Sequence, residues 1–162
     1  MVYLKISLPA YLQDYLIALF SYDKKNKAIL INESIPEGKF ISAMWEVTER
    51  NHTREYKEPC LISIPENAYN KYKLESSYVH VPAWKEKMIE NYLKSSFELK
   101  MREMFSIGRH YGISQKTICE AILSEYNTLN NTLTFDKVKK FDYRRRKRYS
   151  KNILTLLKAA VL

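Results

Sequence analysis

After Pro82 the chain acquires a helical apolar row, with Trp84, Met88, Ile89, Tyr92, Leu93, Phe97, Met101 and Met104 spaced over about twenty residues. Lys85, Glu86, Lys87, Glu90 and Lys94 fall between them and are expected mostly on the outer face. This spacing predicts a long amphipathic helix whose methionines and aromatics face a core, because any surface helix buries one side in this way. A helix this long needs partners. The 162 residues leave room around it for one ordinary domain or two small lobes. An apolar fraction of 46% is enough to fill a core, and with 28% charged residues and three glycines the chain is far from the composition of a disordered one.

Upstream of Pro82 the pattern is different. Val2, Leu4, Ile6 and Leu8 alternate with polar or amphipathic residues, which predicts a strand with one buried face. Pro9 ends that strand and is placed to open a helix over Tyr11, Leu12, Tyr15, Leu16, Leu19 and Phe20. Tyr22 to Lys27 predicts a turn, Ala28 to Ile31 a short strand, and Pro36-Glu37-Gly38 a break. Phe40, Ile41, Met44, Trp45 and Val47 fit a short helix on the sheet, with a strand as the alternative. Thr48 to Pro59 is polar and aperiodic, as in a loop or projecting hairpin. Cys60 to Ile64 and Tyr78 to Val81 are short apolar runs bounded by prolines, and both predict strands. The expected class is therefore α+β, with a small mixed α/β lobe over 1–81 and a mainly helical lobe over 82–162.

Several function classes are disfavoured at this level. No apolar run approaches the roughly 20 residues of a bilayer span, and Pro9 and Asp14 interrupt the stretch where a secretory signal would need its hydrophobic region. The expectation is a cytoplasmic protein with no membrane partner. Cys60 and Cys119 are far apart and lack a CxxC spacing, and His52, His80 and His110 are scattered singly, so no disulfide framework and no metal site is expected. No glycine-rich turn follows a strand, which argues against a nucleotide-binding loop and leaves no cofactor implied.

The net charge of +9 is unevenly placed. Between Phe135 and Lys151 lie nine basic residues (Lys137, Lys139, Lys140, Arg144, Arg145, Arg146, Lys147, Arg148, Lys151) against Asp136 and Asp142, leaving only two of the net charges to the rest of the chain. Five consecutive cations, Arg144 to Arg148, bear mutual repulsion that solvation of a helix face does not require. Such a block attracts polyanions.

The segment from Phe105 to Ile122 precedes this block. It contains Gly108 where a second helix could cross closely, Gly112 where a left-handed turn residue is needed, and Ser114 as a natural N-cap. Ile107, Tyr111, Ile113, Ile118 and Ile122 are expected to be buried and to hold the two helices at a fixed angle. The segment, about residues 105–122, resembles the helix-turn-helix of bacterial and phage DNA-binding proteins, including Cro-type repressors. The resemblance implies that the helix opening at Ser114 enters the major groove and turns Ser114, Gln115, Lys116, Cys119 and Glu120 away from the core. It further implies that Gln115 makes a bidentate contact to adenine, that Lys116 reaches guanine or a phosphate, that Ser114 or Thr117 bonds a phosphate, and that Arg109 clamps the backbone. Near DNA, Glu120 has to accept from a cytosine amino group or stay off the phosphates.

Asn127 to Thr134 is a polar connector, and Phe135, Val138, Phe141 and Tyr149 then mark a basic helix running towards Ile153, Leu156 and Leu157. In this reading Lys137, Lys140, Arg144, Arg145, Arg146, Lys147 and Arg148 lie along the DNA backbone. The apolar end, Ile153 to Leu162, has an alternative use in pairing with a second copy as a homodimer. No catalytic site is expected. Tyr143 and Tyr149 lack the surrounding motif of a tyrosine recombinase, His80 stands alone, and the pairs Glu49 with Glu55 and Asp136 with Asp142 lack an acid/base or metal setting. The expectation is a non-enzymatic duplex-DNA-binding protein, a regulator or a replication or mobile-element factor. Its rivals are a scaffold protein whose basic helix binds an acidic partner, and an RNA-binding adaptor using tyrosines as stacking surfaces.

Overall fold

The alternation at the N-terminus forms β1 (Val2–Ser7), which buries Leu4 and Ile6. The structure, a computed structural model, describes residues 2–49, 54–66, 71 and 78–142. Pro9 precedes α1 (Ala10–Leu19), whose first amide is satisfied by a distant side chain: Ala10 N–H donates to the Glu58 carboxylate at 2.7 Å. A carboxylate here meets both an unpaired donor and the positive end of the helix. Leu12, Tyr15 and Leu16 form the buried face.

The expected turn over Tyr22 to Lys27 begins later than the sequence suggests, because Ser21–Asp23 pairs as β2 with β3 (Ala28–Leu30). Asp23 closes the hairpin by accepting from the Asn26 side-chain amide and from the Asn26 and Lys25 backbone amides, bonds that hold its carboxyl below the usual range. Pro36-Glu37-Gly38 opens α2 (Pro36–Ser42) instead of breaking the chain. Proline suits a first helical turn, where its missing N–H has no partner to lose. Gly38 is needed for proximity: a Cβ there would lie 1.7 Å from the Asn32 carbonyl oxygen. The expected helix past Met44 is cut short at Ser42, and Val47 belongs to β4 (Glu46–Thr48).

Both proline-bounded runs are strands, β5 (Pro59–Ile64) and β6 (Tyr78–His80). The main sheet has the order β1-β5-β3-β2, with β5 antiparallel to β1 and parallel to β3, and β4 pairs with β6 as a separate antiparallel ribbon. β5 buries Ile62 opposite Leu4 of β1, and also buries Ile64. Cys60 is also buried, which pushes its thiol up to about 12 and leaves it inert near neutral pH.

The long row predicted after Pro82 forms α3 (Ala83–His110). Its buried members are Ile89, Leu93, Phe97, Met101 and Phe105. Trp84 and Met88, expected in the core, are 62% and 43% exposed, and Glu86, expected outside, is buried. The reason is angular: Trp84 lies five residues before Ile89, about 140° round the helix from it, whereas Glu86 is one turn before Ile89 on the same side. α3 runs without interruption through Gly108 to His110, so the helix of the apolar row and the first helix of the Phe105 segment are one. α4 (Gln115–Tyr126) follows, and residues 135–142 form α5.

By packing, the chain divides inside α3, into the described residues up to Ser95 and those from Ser96 onward, further along than the expected boundary at Val81 and Pro82. In the first unit, Phe40 of α2 stacks on Tyr92 at 4.2 Å. In the second, Phe97 takes Tyr126 and Phe141 edge-on at 5.8 and 5.7 Å. These observations place the chain in the α+β class. No described helix is long and apolar enough to cross a membrane.

Gly38→Ala is expected to destabilise the protein by about 3 kcal/mol, because the added methyl meets backbone that cannot rotate away. Chemical denaturation of the variant beside the wild type checks this.

Candidate nucleic-acid interface

α3 ends in a motif written into its backbone. Ile113 N–H donates to the Gly108 carbonyl at 2.8 Å and Gly112 N–H to the Arg109 carbonyl at 3.0 Å, with Gly112 in the left-handed region at φ +71°. This paired closure needs a residue without a Cβ penalty at that point, which is the role expected of Gly112. Ser114 then caps α4 by accepting from Thr117 N–H at 3.2 Å, and its hydroxyl also meets the Thr117 hydroxyl at 2.8 Å. The helices cross closely at Gly108, where a Cβ would come within 2.5 Å of the Ile118 side chain.

The apolar clamp is smaller than expected. Ile118 and Ile122 are buried, but Ile107, Tyr111 and Ile113 are 58%, 75% and 43% exposed. Gly108 lets Ile118 seat directly on the α3 backbone, so the corner closes without those three side chains. Cys119, expected to face outward, is fully buried beside Ile118, Ile122 and Tyr126. Burial raises its thiol, opposed by the Lys139 ammonium of α5. The face of α4 left open to solvent carries Lys116, Thr117, Glu120, Ala121 and Ser124. Lys116 and Glu120 approach to 3.8 Å on this face, both well exposed, and such a pair contributes little.

Two of the expected contact residues, Arg109 and Gln115, meet on one carboxylate, that of Asp142. Asp142, at the end of the described part of α5, has a side chain only 1% exposed. It accepts from the Arg109 guanidinium, and its other oxygen accepts from Gln115 Nε2 at 2.7 Å. Arg109 also donates to the Phe105 carbonyl at 3.2 Å. Gln115 is half-buried. Asp142 was not singled out for this position from the sequence, although Phe135, Val138 and Asp142 fall at intervals of three and four, on the side where Val138 is buried. Lys137, Lys139 and Lys140 are exposed on α5, with Lys137 donating to the Thr132 carbonyl. Asn127 braces the connector between α4 and α5 by bonding both the amide and the carbonyl of Leu133. Phe135 is exposed, whereas Val138 is buried and Phe141 half-buried. Tyr143, Arg144, Arg145, Arg146, Lys147, Arg148, Tyr149 and Lys151, with the expected helical continuation to Leu157, lie outside the described residues.

The first unit contains an open cavity of about 240 Å³ bordered by Lys57, Glu58, Glu86, Lys87 and Glu90. Burial raises the Glu86 carboxyl above the ordinary range despite the Arg54 guanidinium bonded to it. Among the described residues no group of three or more His, Cys, Asp or Glu is placed to hold a metal ion. Comparison of the chain with protein-family models, curated proteins and solved structures finds no match.

Two outcomes test this packing. Gly108→Ala is expected to cost about 1 kcal/mol after its gain in helix propensity, and less in an Ile118→Val background where the Cδ1 it would strike is gone. A double-mutant cycle of unfolding free energies reads this coupling. For Glu86, a raised folded pKa means that the folded state holds the proton more tightly than the unfolded chain. Its contribution to stability is therefore greatest below the ordinary carboxylate range and is lost as pH rises through that range to the folded value. Glu86→Gln, which does not titrate, is expected to gain stability relative to the wild type between about pH 4 and about pH 7, as measured by urea denaturation at both.

Proposed function

We propose that this protein binds duplex DNA without catalysing a reaction, reading the major groove with α4 and holding phosphates with the basic segment that begins in α5. The observation that carries this reading is the open polar face of α4, capped at Ser114, in the same unit as an α5 that leaves Lys137, Lys139 and Lys140 exposed. In the sequence α5 leads directly into Arg144, Arg145, Arg146, Lys147 and Arg148. A base-reading helix gains most of its affinity from neighbouring phosphate contacts, so the two features serve one function. On this reading Lys116 and Thr117 face the DNA, Lys137, Lys139 and Lys140 track its backbone, and the protein works in the cytoplasm as a regulator or a replication or mobile-element factor.

The same charge would suit an acidic protein partner or single-stranded RNA, and salt titration separates these. Log affinity for duplex DNA falls linearly with log salt, with a slope set by the number of phosphates neutralised. Lys139→Ala with Lys140→Ala is expected to weaken duplex binding on every sequence and to flatten that slope by about 2. Arg145→Ala with Arg146→Ala is expected to act in the same direction. Fluorescence anisotropy across a salt series reads both. Unchanged affinity in both double variants counts against the reading, and preference for single-stranded RNA over duplex supports the adaptor instead.

A further inference from the structure

We infer that Asp142 is the positioning residue that gives Gln115 its base specificity, an inference that rests on the DNA-binding reading. A carboxylate can only accept hydrogen bonds, so the side of the Gln115 amide facing Asp142 has to be its nitrogen. The orientation of this amide is thus fixed by the chemistry of its partner. One Nε2 hydrogen goes to Asp142, which leaves the amide with a second N–H donor and the Oε1 acceptor. That remaining pair matches the major-groove edge of adenine, which offers N7 as acceptor and N6 as donor. Guanine offers N7 and O6, both acceptors, and its O6 would oppose Oε1. An amide free to turn over could instead present both nitrogen hydrogens to guanine. Asp142 removes that option and selects adenine.

The setting of Asp142 suits this role. Its side chain is 1% exposed, so the carboxylate is held by packing, and Arg109 supplies the compensating charge. Its negative charge is therefore partnered within the protein, while Gln115 sits at the first position of α4, directly after its Ser114 cap. Arg109 in turn is anchored by the Phe105 carbonyl, which ties the brace to the α3 backbone.

The test begins with duplex selection from a random pool using the full chain, then compares the preferred site with single-base-pair variants. In the wild type one A·T pair is expected to discriminate against G·C by about tenfold, and Gln115→Ala and Asp142→Asn are each expected to abolish this while leaving the salt slope unchanged. In the double variant Asp142→Asn adds nothing to the loss from Gln115→Ala, because it acts through that side chain. Full discrimination in folded Asp142→Asn, or additive losses, would overturn the positioning role and leave DNA binding standing. Should Asp142→Asn fail to fold, NMR of the wild-type Gln115 side-chain amide decides. One Nε2 proton protected from exchange in both free and DNA-bound protein supports the brace, and loss of that protection on binding overturns it. No duplex binding by the wild type overturns this inference together with the reading beneath it.

Discussion

A four-residue interval along α3 carries buried side chains into both parts of the molecule. Ile89 and Leu93 belong to the unit that ends at Ser95, and Phe97, Met101 and Phe105 to the one that follows. Each step of four residues advances about 40° beyond a full turn, so the row winds around the helix. Followed upstream from Ile89, the row reaches Lys85 and Glu86, which are charged. Each has an opposite partner: Lys85 bonds Glu46 of β4 at 2.7 Å, and Glu86 bonds Arg54. The start of α3 thus meets its neighbours through ion pairs and its later turns through apolar packing.

Most of the regular structure was legible because it follows local rules. Period-two alternation marked β1, prolines bounded β5 and β6, and helical spacing announced α3. Several of the misreadings arise where a close approach of two segments overrides the local meaning of a residue. Gly38 looked like a chain break and is a point of contact with the Asn32 carbonyl. Tyr22 looked like turn material and pairs with Ile29 across a hairpin. Ile107, Tyr111 and Ile113 looked like core because apolar residues beside a glycine corner usually are, but the absent Cβ of Gly108 already gave Ile118 its seat. Composition and spacing show which residues want burial, and they do not show which positions a close backbone approach has made unnecessary.

The candidate interface was legible in part for a similar reason. The left-handed Gly112 and the Ser114 cap are local chemistry and stood out in the sequence. The outward face of α4 was misjudged by one residue because Cys119, small and apolar, fills the space beside Ile118, while Thr117 and Ala121 take the open side. The bonds from Gln115 and Arg109 to Asp142 span 27 and 33 residues, and no periodicity predicts a contact at that separation.

Asp142 and Glu86 are both buried carboxylates paired with an arginine, yet they sit in different settings. Burial outweighs the guanidinium at Glu86 and raises its pKa, and a buried ion pair of this kind is weak grounds for stability. Asp142 has a neutral amide as its second donor, so both of its oxygens are used. An apolar residue at 142 could fill the same space, but it would take from Gln115 the acceptor that fixes its amide and from Arg109 its carboxylate. Gly108 and Gly112 set where α4 lies against α3, while Asp142 sets which way two side chains at that junction point. The backbone corner and the side-chain brace thus control separate degrees of freedom.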